Sequence, residues 1–435
     1  MNKPLDVWMN GELVGTWAQE PRKGHLFRYT DSWLESPFAR PLSLSLPLGP
    51  SSKPLQGQHI EDFFDNLLPD NSDIRQRIQR RFGCKSTSPF DLLGEIGKDC
   101  IGALQLLPEG SVPPDIHTIG AQRLEESDVA NLIRSIKTGN IPEDSYDEPF
   151  RISLAGAQEK TALLLHEGVW CRPIGSTPTT HILKLPLGKI GTMQADMTLS
   201  IENEWLCLKL LEAFGLDVAK ADIATFEDQK VLVVERFDRR IASDGTWWMR
   251  LPQEDLCQAT GTKASMKYES EGGPGILSLM KFMLNATDPQ LNRKKFLKAQ
   301  ILFWLLAAPD GHAKNFSIFL QRQGRYTLTP LYDVVSAYPA LGHGVGMIPK
   351  QKLKMAMAVM GKSRHYEWAK INRSHWLETA KITGSTVLLD EIIDEILLKV
   401  PSAIEEVTAK IPRDFPEELA LPIVLGIQET AKKLL

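Results

Sequence analysis

The stretch "LLAAPDGHAKNF" (Leu305–Phe316) decides the fold. A helix-like apolar run, "QILFWLLAA" (Gln300–Ala308), stops at Pro309, and Asp310, His312, Lys314 and Asn315 follow within six residues. Asp310 and Asn315 stand five apart, the spacing of the catalytic loop of protein kinases. There the Asp takes the proton of the attacking hydroxyl and the Asn holds magnesium on the phosphates. Such a site needs a second acid across the metal. "YTLTPLYDVVSA" (Tyr326–Ala337) offers Asp333 at the end of an apolar strand-like run. Taken singly, Asp310-Gly311 could equally end a helix and Asp333 start a turn.

Working upstream, "ISLAGAQEKT" (Ile152–Thr161) is a small-residue turn between apolar strands, where backbone N–H groups can approach an anion. It is not G-x-G-x-x-G. Nor is it a Walker A loop, which would need glycine at the positions of Leu154 and Glu159. Lys184 sits in mid-strand in "HILKLP", and a lysine among apolar neighbours calls for an anion unless it points to water from an edge strand. "KVLVVERFDRR" (Lys230–Arg240) reads either as a hinge strand whose backbone meets adenine or as an ordinary core strand. The order carries more than any single part: small-residue turn, strand lysine, helix with Glu202 and Glu204, hinge-like strand, helix, D-x-x-x-x-N, then Asp333. That is the linear layout of a protein-kinase-like fold, and it points to a phosphotransferase.

The rest of the chain reads as β-rich first and α-rich after. "LDVWMNGELVGTWA" is a hairpin about Asn10-Gly11. "PLSLSLPL" (Pro41–Leu48) alternates as a half-buried strand does. Residues 61–97 turn helical, "DCIGALQLLPEG" returns to strand, and "SDVANLIRSIKTG" is a helix. The polar "NIPEDSYDEP" (Asn140–Pro149) is the first plausible boundary. "DMTLSIENEWLCLKLLEAFGL" is a helix stopping near Gly215, and two strands follow. Beyond Leu251 almost everything reads as helix, and "HGVGMIPKQKLKMAM" (His343–Met357) as loop plus helix. The expected fold is α+β and two-lobed, with a seam near Phe237–Arg240. It divides into a β-rich N-terminal subdomain (1–110), the remainder of the N-lobe with phosphate loop, strand lysine and hinge (111–240), and an α-helical C-lobe (241–435).

Composition bounds the function. With 435 residues, 43% of them apolar and 24% charged, the chain can bury a sizeable core. A net charge of −4 leaves no whole-chain electrostatic footprint for nucleic acid. Five scattered cysteines without a C-x-x-C pair read as reduced thiols of a cytoplasmic protein, and the nine histidines form no H-E-x-x-H. No apolar run approaches the ~18 residues of a membrane span. The arginines of "RQRIQRR" (Arg75–Arg81) read as a solvated helix face.

Eleven contiguous stretches then carry a resemblance. They are "ARPLSLSLPL", "FFDNLLPDN", "FDLLGEIGKDCIGAL", "FRISLAGAQEKTALL", "PTTHILKLP", "NEWLCL", "VERFDRR", "RLPQEDLCQ", "KYESEGGPGI", "DGHAKNFSI" and "LTPLYDVVSA". Together they resemble the HipA family, serine/threonine-kinase toxins of bacterial toxin–antitoxin pairs, through about residue 360 and more loosely beyond. The resemblance implies a protein-kinase-like (phosphoinositide-kinase-like) fold, and ATP with Mg2+ as cofactors. It implies Asp310 as general base, Asn315 and Asp333 as metal ligands, Tyr332 beside the nucleotide, Lys184 on its phosphates, and His312, Ala313 and Lys314 lining the site. It further implies a phosphate-facing loop of Ala155, Gly156, Ala157, Gln158, Glu159 and Lys160, adenine held at Glu235, Arg236 and Phe237, and autophosphorylation at Ser153 that switches the kinase off. A HipB-type antitoxin dimer, operator DNA bound mainly through that antitoxin, glutamyl-tRNA synthetase as target, and dormancy or persistence as outcome also follow from the resemblance. Pro309, where a polar residue is usual, is a departure that stiffens the loop. The reading from another class is a kinase-like binding module, weak in catalysis, that serves as antitoxin partner and co-repressor.

Overall fold

Asn10 (φ 45°) and Gly11 (φ 82°) both take left-handed backbone, which the tight turn between Leu5–Met9 and Glu12–Glu20 requires. A computed structural model describes residues 3–138, 153–156, 158–190 and 194–435. Ala157, the expected boundary 140–149 and the strand start at 150–152 lie outside them. The chain forms two compact units: Met1–Leu185 with Ala224–Ser265 and Ser317–Arg325, and Pro186–Ile223 with Met266–Phe316 and Tyr326–Leu435. The expected seam, Phe237–Arg240, falls inside the first unit.

In the first unit that hairpin belongs to a five-stranded antiparallel sheet, ordered Leu55–Gln56, Gly24–Tyr29, Glu12–Glu20, Leu5–Met9, Leu104–Pro108. Helices Gln58–Asp65 and Pro89–Ile96 supply Phe64 and Phe90 to its core, where Trp17 stacks on Phe64 at 4.0 Å and meets Phe90 edge-on at 4.7 Å. A second sheet of six strands runs Ala221–Phe226, Gln229–Glu235, His181–Lys184, Lys160–His166, Val169–Ile174, Gly120–Arg123. Helix Glu126–Thr138 packs Val129 and Ile133 onto Leu163, Leu183 and Val231 of that sheet.

"PLSLSLPL" is not a strand. Leu42 and Leu46 are buried, but Leu46 N donates to Ser43 O in a turn (3.0 Å), and the Ser43 and Ser45 hydroxyls donate to the Gln258 carbonyl (3.2 and 2.7 Å). Side-chain bonds to backbone compete with a ladder, and here they win.

The second unit is built around helix Pro289–Leu305, started by an Asp288 cap on Leu291 N (3.0 Å) and a proline at its first position. Its residues from Phe296 to Leu305 are all buried. Trp304 and Trp368 each donate an indole N–H to the other's carbonyl, at 3.2 and 2.8 Å. Helices Ser200–Ala213, Ile276–Phe282, Arg373–Thr383, Thr386–Lys410 and Glu417–Ala431 belong to the same unit. Tyr338 hydroxyl reaches the Leu305 (2.9 Å) and Gly426 (2.8 Å) carbonyls, and a Cβ on Gly426 would lie 2.3 Å from the Tyr338 ring.

Beyond Leu251 strands are more frequent than expected, at Gln253–Asp255 and Ser317–Leu320 in the first unit and at Tyr326–Leu328, Lys354–Met360 and Arg364–Glu367 in the second. The end of "HGVGMIPKQKLKMAM", read as helix, is therefore part of the strand "KMAMAVM" (Lys354–Met360): six consecutive residues there are buried or nearly so, paired with Arg364–Glu367 along one edge. A short apolar run does not distinguish the two states by period, and tertiary pairing decides. No helix among the described residues is long and apolar enough to cross a membrane.

Candidate active site

The helix Pro289–Leu305 hands the chain into the loop Pro309–Asn315 through Ala307, a residue with left-handed backbone (φ 47°) whose carbonyl accepts from Ala337 N (2.9 Å). Pro309 carbonyl accepts from Ala356 N (2.9 Å), so the stiffening proline is also an anchor onto strand Lys354–Met360. At Gly311 a Cβ would sit 2.5 Å from the Phe303 ring, so only glycine fits here. Asp310 carbonyl accepts from His312 N and from Asn315 Nδ2, both at 2.8 Å. With its nitrogen so used, Asn315 has Oδ1 as the atom to offer a cation. The Asp310 side chain is 53% exposed, whereas His312, Ala313, Lys314 and Asn315 are buried.

His312 Nε2 lies 3.7 Å from Asp310 Oδ1, and neither ring nitrogen has a hydrogen-bond partner among the described residues. Burial, only partly opposed by the Asp310 charge, lowers the imidazole pKa below its ordinary value, so the ring is neutral at pH 7. Tyr332 hydroxyl donates to Lys314 O (3.1 Å).

Asp333 has φ 59°, a left-handed backbone that aspartate adopts more readily than most residues, and such outliers concentrate at working sites. Its amide donates to Glu204 Oε1 (3.2 Å). Three residues on, Ser336 exchanges two bonds with the Asn203 amide, 2.8 and 2.9 Å. Helix Ser200–Ala213 thus holds the Asp333 turn with the buried polar residues of "NEW". Asp310, Asn315, Tyr332 and Asp333, with His312–Lys314, all belong to the second unit.

The first unit carries the other set. Ser153 is fully buried, its hydroxyl donating to Leu67 O (2.7 Å) and its amide to Asp99 O (3.1 Å). Gly156 (φ 104°) pairs by its carbonyl with Asp70 N (3.2 Å), and Lys160 Nζ folds back onto Ala155 O (2.7 Å). Gln158 Nε2 donates to Leu185 O (2.5 Å), Leu185 N to Glu159 O (3.0 Å), and the Glu159 carboxylate pairs with Arg77. One arginine of the "solvated" face therefore anchors the loop. Lys184 is buried in the central strand of its sheet, opposite Lys160 on one side and Leu232 on the other.

Of the expected hinge, Glu235 is exposed and pairs with His181. Arg236 is different. Its amide donates to Thr180 O (2.8 Å), and its guanidinium bonds Asp99, Thr179, Cys100 O and Asp238, so it is a structural residue and its N–H is not open to a ligand.

That guanidinium belongs to a network the sequence did not announce. Arg236, Arg239 and Arg250 surround the Asp99 carboxylate at 3.2, 3.0 and 3.2 Å, and Asp238 pairs with the first two. Burial opposes the Asp99 charge, but Arg239, Arg236 and Arg250 overcome it and hold the carboxyl far below the usual carboxylate range. A second residue without a role in the sequence reading is Tyr268, whose hydroxyl donates to Asp310 Oδ1. Its sequence signals are its place in the family-like stretch "KYESEGGPGI" and the clustering of Gly272, Gly273 and Gly275 just after it.

Fold and site define the class: an α+β, protein-kinase-like chain with a D-x-x-x-x-N loop followed by an acid on a strained turn. Residues 152–404 match the HipA-like C-terminal domain and residues 5–107 the HipA N-terminal domain, and the chain belongs to the HipA family. It is 34% identical over 387 residues (87% of this chain, 86% of the relative) to "Putative kinase Y4mE" of Sinorhizobium fredii. Against the serine/threonine-protein kinase toxin HipA of Shewanella oneidensis the figure is 28% over 396 residues (88% and 84%). A solved Shewanella oneidensis complex of HipA, HipB and operator DNA contains a chain of the same fold, with TM-score 0.77 and 24% identity over 99% of this chain and 96% of that one.

Proposed function

We propose that this protein is the toxin of a toxin–antitoxin pair, a kinase that moves the γ-phosphoryl group of ATP to a serine of a target protein and so arrests translation. The observation that carries the reading is the loop 309–315. Its backbone is tied down at Pro309, Asp310, His312 and Asn315, while the Asp310 side chain is half exposed. Phosphoryl transfer is mainly positioning and electrostatics, and a fixed loop with an open base is what it needs.

In this mechanism Asp310 accepts the serine proton as the oxygen attacks phosphorus. Asn315 Oδ1 and the Asp333 carboxylate are hard oxygen donors of the kind magnesium takes. Bound there, the ion would neutralise charge on the phosphates. Lys184 pairs with the phosphates, residues 155–160 face them, and the backbone near Glu235 and Phe237 holds the base of the nucleotide. Ser153 supports a self-limiting step. Its hydroxyl is buried on Leu67 O, so phosphorylation requires the segment to leave its seat, and a dianionic phosphate cannot return to it. The family favours glutamyl-tRNA synthetase as target and a HipB-type antitoxin dimer, itself on operator DNA, as partner.

The test is intact-mass measurement of the full chain before and after ATP and magnesium, with Asp310→Asn and Ser153→Ala alongside. One added phosphate in the wild type only is the expected result, with transfer by Asp310→Asn slower by about 10²–10⁴-fold. Normal transfer by Asp310→Asn would overturn the assignment. No transfer from a verified unphosphorylated wild type, with candidate substrates present, would make the chain a kinase-like binding module.

A further inference from the structure

We propose that Tyr268 is a positioning residue for the base Asp310; the inference rests on the kinase reading above. The Tyr268 hydroxyl donates to Asp310 Oδ1, and its ring stands edge-on to His312 with centroids 4.9 Å apart. A half-exposed carboxylate would otherwise sample several rotamers.

The loop that presents the phenol is built tightly. Gly272 takes φ 102°, a Cβ on Gly273 would lie 2.1 Å from Met266 O and 2.9 Å from Tyr268 O, and one on Gly275 would lie 2.0 Å from the Glu269 carboxyl. Tyr268 O accepts from Gly273 N at 3.0 Å. The next residue, Glu269, accepts from Ala358 N (2.7 Å) and Arg364 Nε (3.1 Å).

Ala358 lies on the strand Lys354–Met360, whose Ala356 N holds Pro309 O. One strand therefore fixes both the tyrosine loop and the catalytic loop. Ala313 N reaches Lys267 O (3.4 Å) as a third tie. The sequence places Tyr268 42 positions from Asp310, yet the fold locks the two together.

In the transfer step Tyr268 keeps its proton. With Oδ1 held by the phenol, Oδ2 of Asp310 takes the serine proton, the serine oxygen bonds to the γ-phosphorus, and the bond to the β-bridging oxygen breaks, its electron pair leaving with ADP. Losing the phenol lets the carboxylate turn. The cost falls on the rate of transfer and not on nucleotide binding.

The experiment is transfer of labelled γ-phosphate from ATP to the full chain, with ATP varied, for wild type, Tyr268→Phe, Asp310→Asn and the double variant. Tyr268→Phe keeps the ring against His312 and removes only the hydroxyl. The expected loss in maximal rate is about 10- to 100-fold, the worth of a hydrogen bond to a charged group. The apparent KM for ATP stays within about two-fold, because no uniform binding is lost. In the Asp310→Asn background the same substitution changes the residual rate by less than about two-fold, since the phenol then has no base to orient. Gly275→Ala, which drives a Cβ into Glu269 and shifts the loop, gives the same split between rate and KM. Full activity of Tyr268→Phe in an active wild-type background overturns the inference alone. Equal losses in the wild-type and Asp310→Asn backgrounds also overturn it, because the tyrosine would then act elsewhere. A wild type with no transfer at all removes the kinase reading and this inference together.

Discussion

Asp99→Asn tests the buried network of the first unit. The wild-type cluster holds three guanidinium groups and two carboxylates, a net charge of +1, and the substitution raises that to +2 in a buried site. Shape is conserved but hydrogen-bond polarity is not. Asp99 Oδ2 accepts from Thr179 N (3.0 Å), Thr179 Oγ1 (2.7 Å) and Arg236 Nη1 (3.2 Å), while Oδ1 accepts from Arg239 Nη2 (3.0 Å) and from Arg250 Nε (3.3 Å) and Nη2 (3.2 Å). An asparagine NH2 must face one of these donor sets. Removing one partner of a buried ion pair costs about 3–5 kcal/mol, a large share of the roughly 5–15 kcal/mol that stabilises a domain. At a urea slope of about 2 kcal/mol/M the midpoint of the first unit falls by about 1.5–2.5 M. Tryptophan fluorescence across a urea titration gives the midpoint. Hydrogen exchange locates it, because loss of protection in His181–Lys184 and Leu104–Pro108 should precede loss in Pro289–Leu305. Asp228→Asn, in an exposed ion pair with Arg134, serves as the control and leaves the midpoint in place. A midpoint for Asp99→Asn within about 0.3 M of wild type would refute the reasoning, because at that slope it corresponds to well under 1 kcal/mol.

Glu254 gives a pH prediction. Burial raises its carboxyl from 4.5 to about 8 despite bonds from Ser43 and from Leu44 N (3.0 Å). The folded state therefore binds the proton more tightly than the unfolded state, and stability is greatest below about 4.5 and falls as pH rises through about 8. Glu254→Gln should flatten that slope and be the more stable protein at pH 8–9 in thermal melts; an unchanged slope would contradict the assignment. Gly311→Ala pushes a Cβ against Phe303 at 2.5 Å, and on the kinase reading should cut transfer at least about ten-fold while nucleotide binding, read by calorimetry, persists. Ser153→Ala leaves the buried Leu67 carbonyl without that donor, and should lower stability by about 1 kcal/mol while abolishing the added phosphate.

Much of this protein is written locally. Asn10-Gly11 fixes its hairpin through two left-handed residues, and Asp288-Pro289 fixes the start of the central helix through a cap and a preset φ. The loop Asp310–Asn315 is equally local: Asn315 reaches Asp310 O across five residues, so the spacing itself encodes the geometry. For the same reason the family could be read from contiguous motifs. Tertiary structure decided the rest. "PLSLSLPL" and "KMAMAVM" each suit two states, and their partners chose between them: the distant Gln258 carbonyl for the first, and for the second the neighbouring strand Arg364–Glu367, which closes a hairpin. The Asp99 network joins residues up to 151 positions apart, so Arg236 looked like a hinge until its partners were placed. Tyr268 and Asp310 carry no mutual signal along the chain; a single strand, bonding through Ala356 and Ala358, brings them to one point. Local sequence fixes backbone conformations that cost only nearby entropy, whereas charge pairing and side-chain orientation depend on chain closure over long loops.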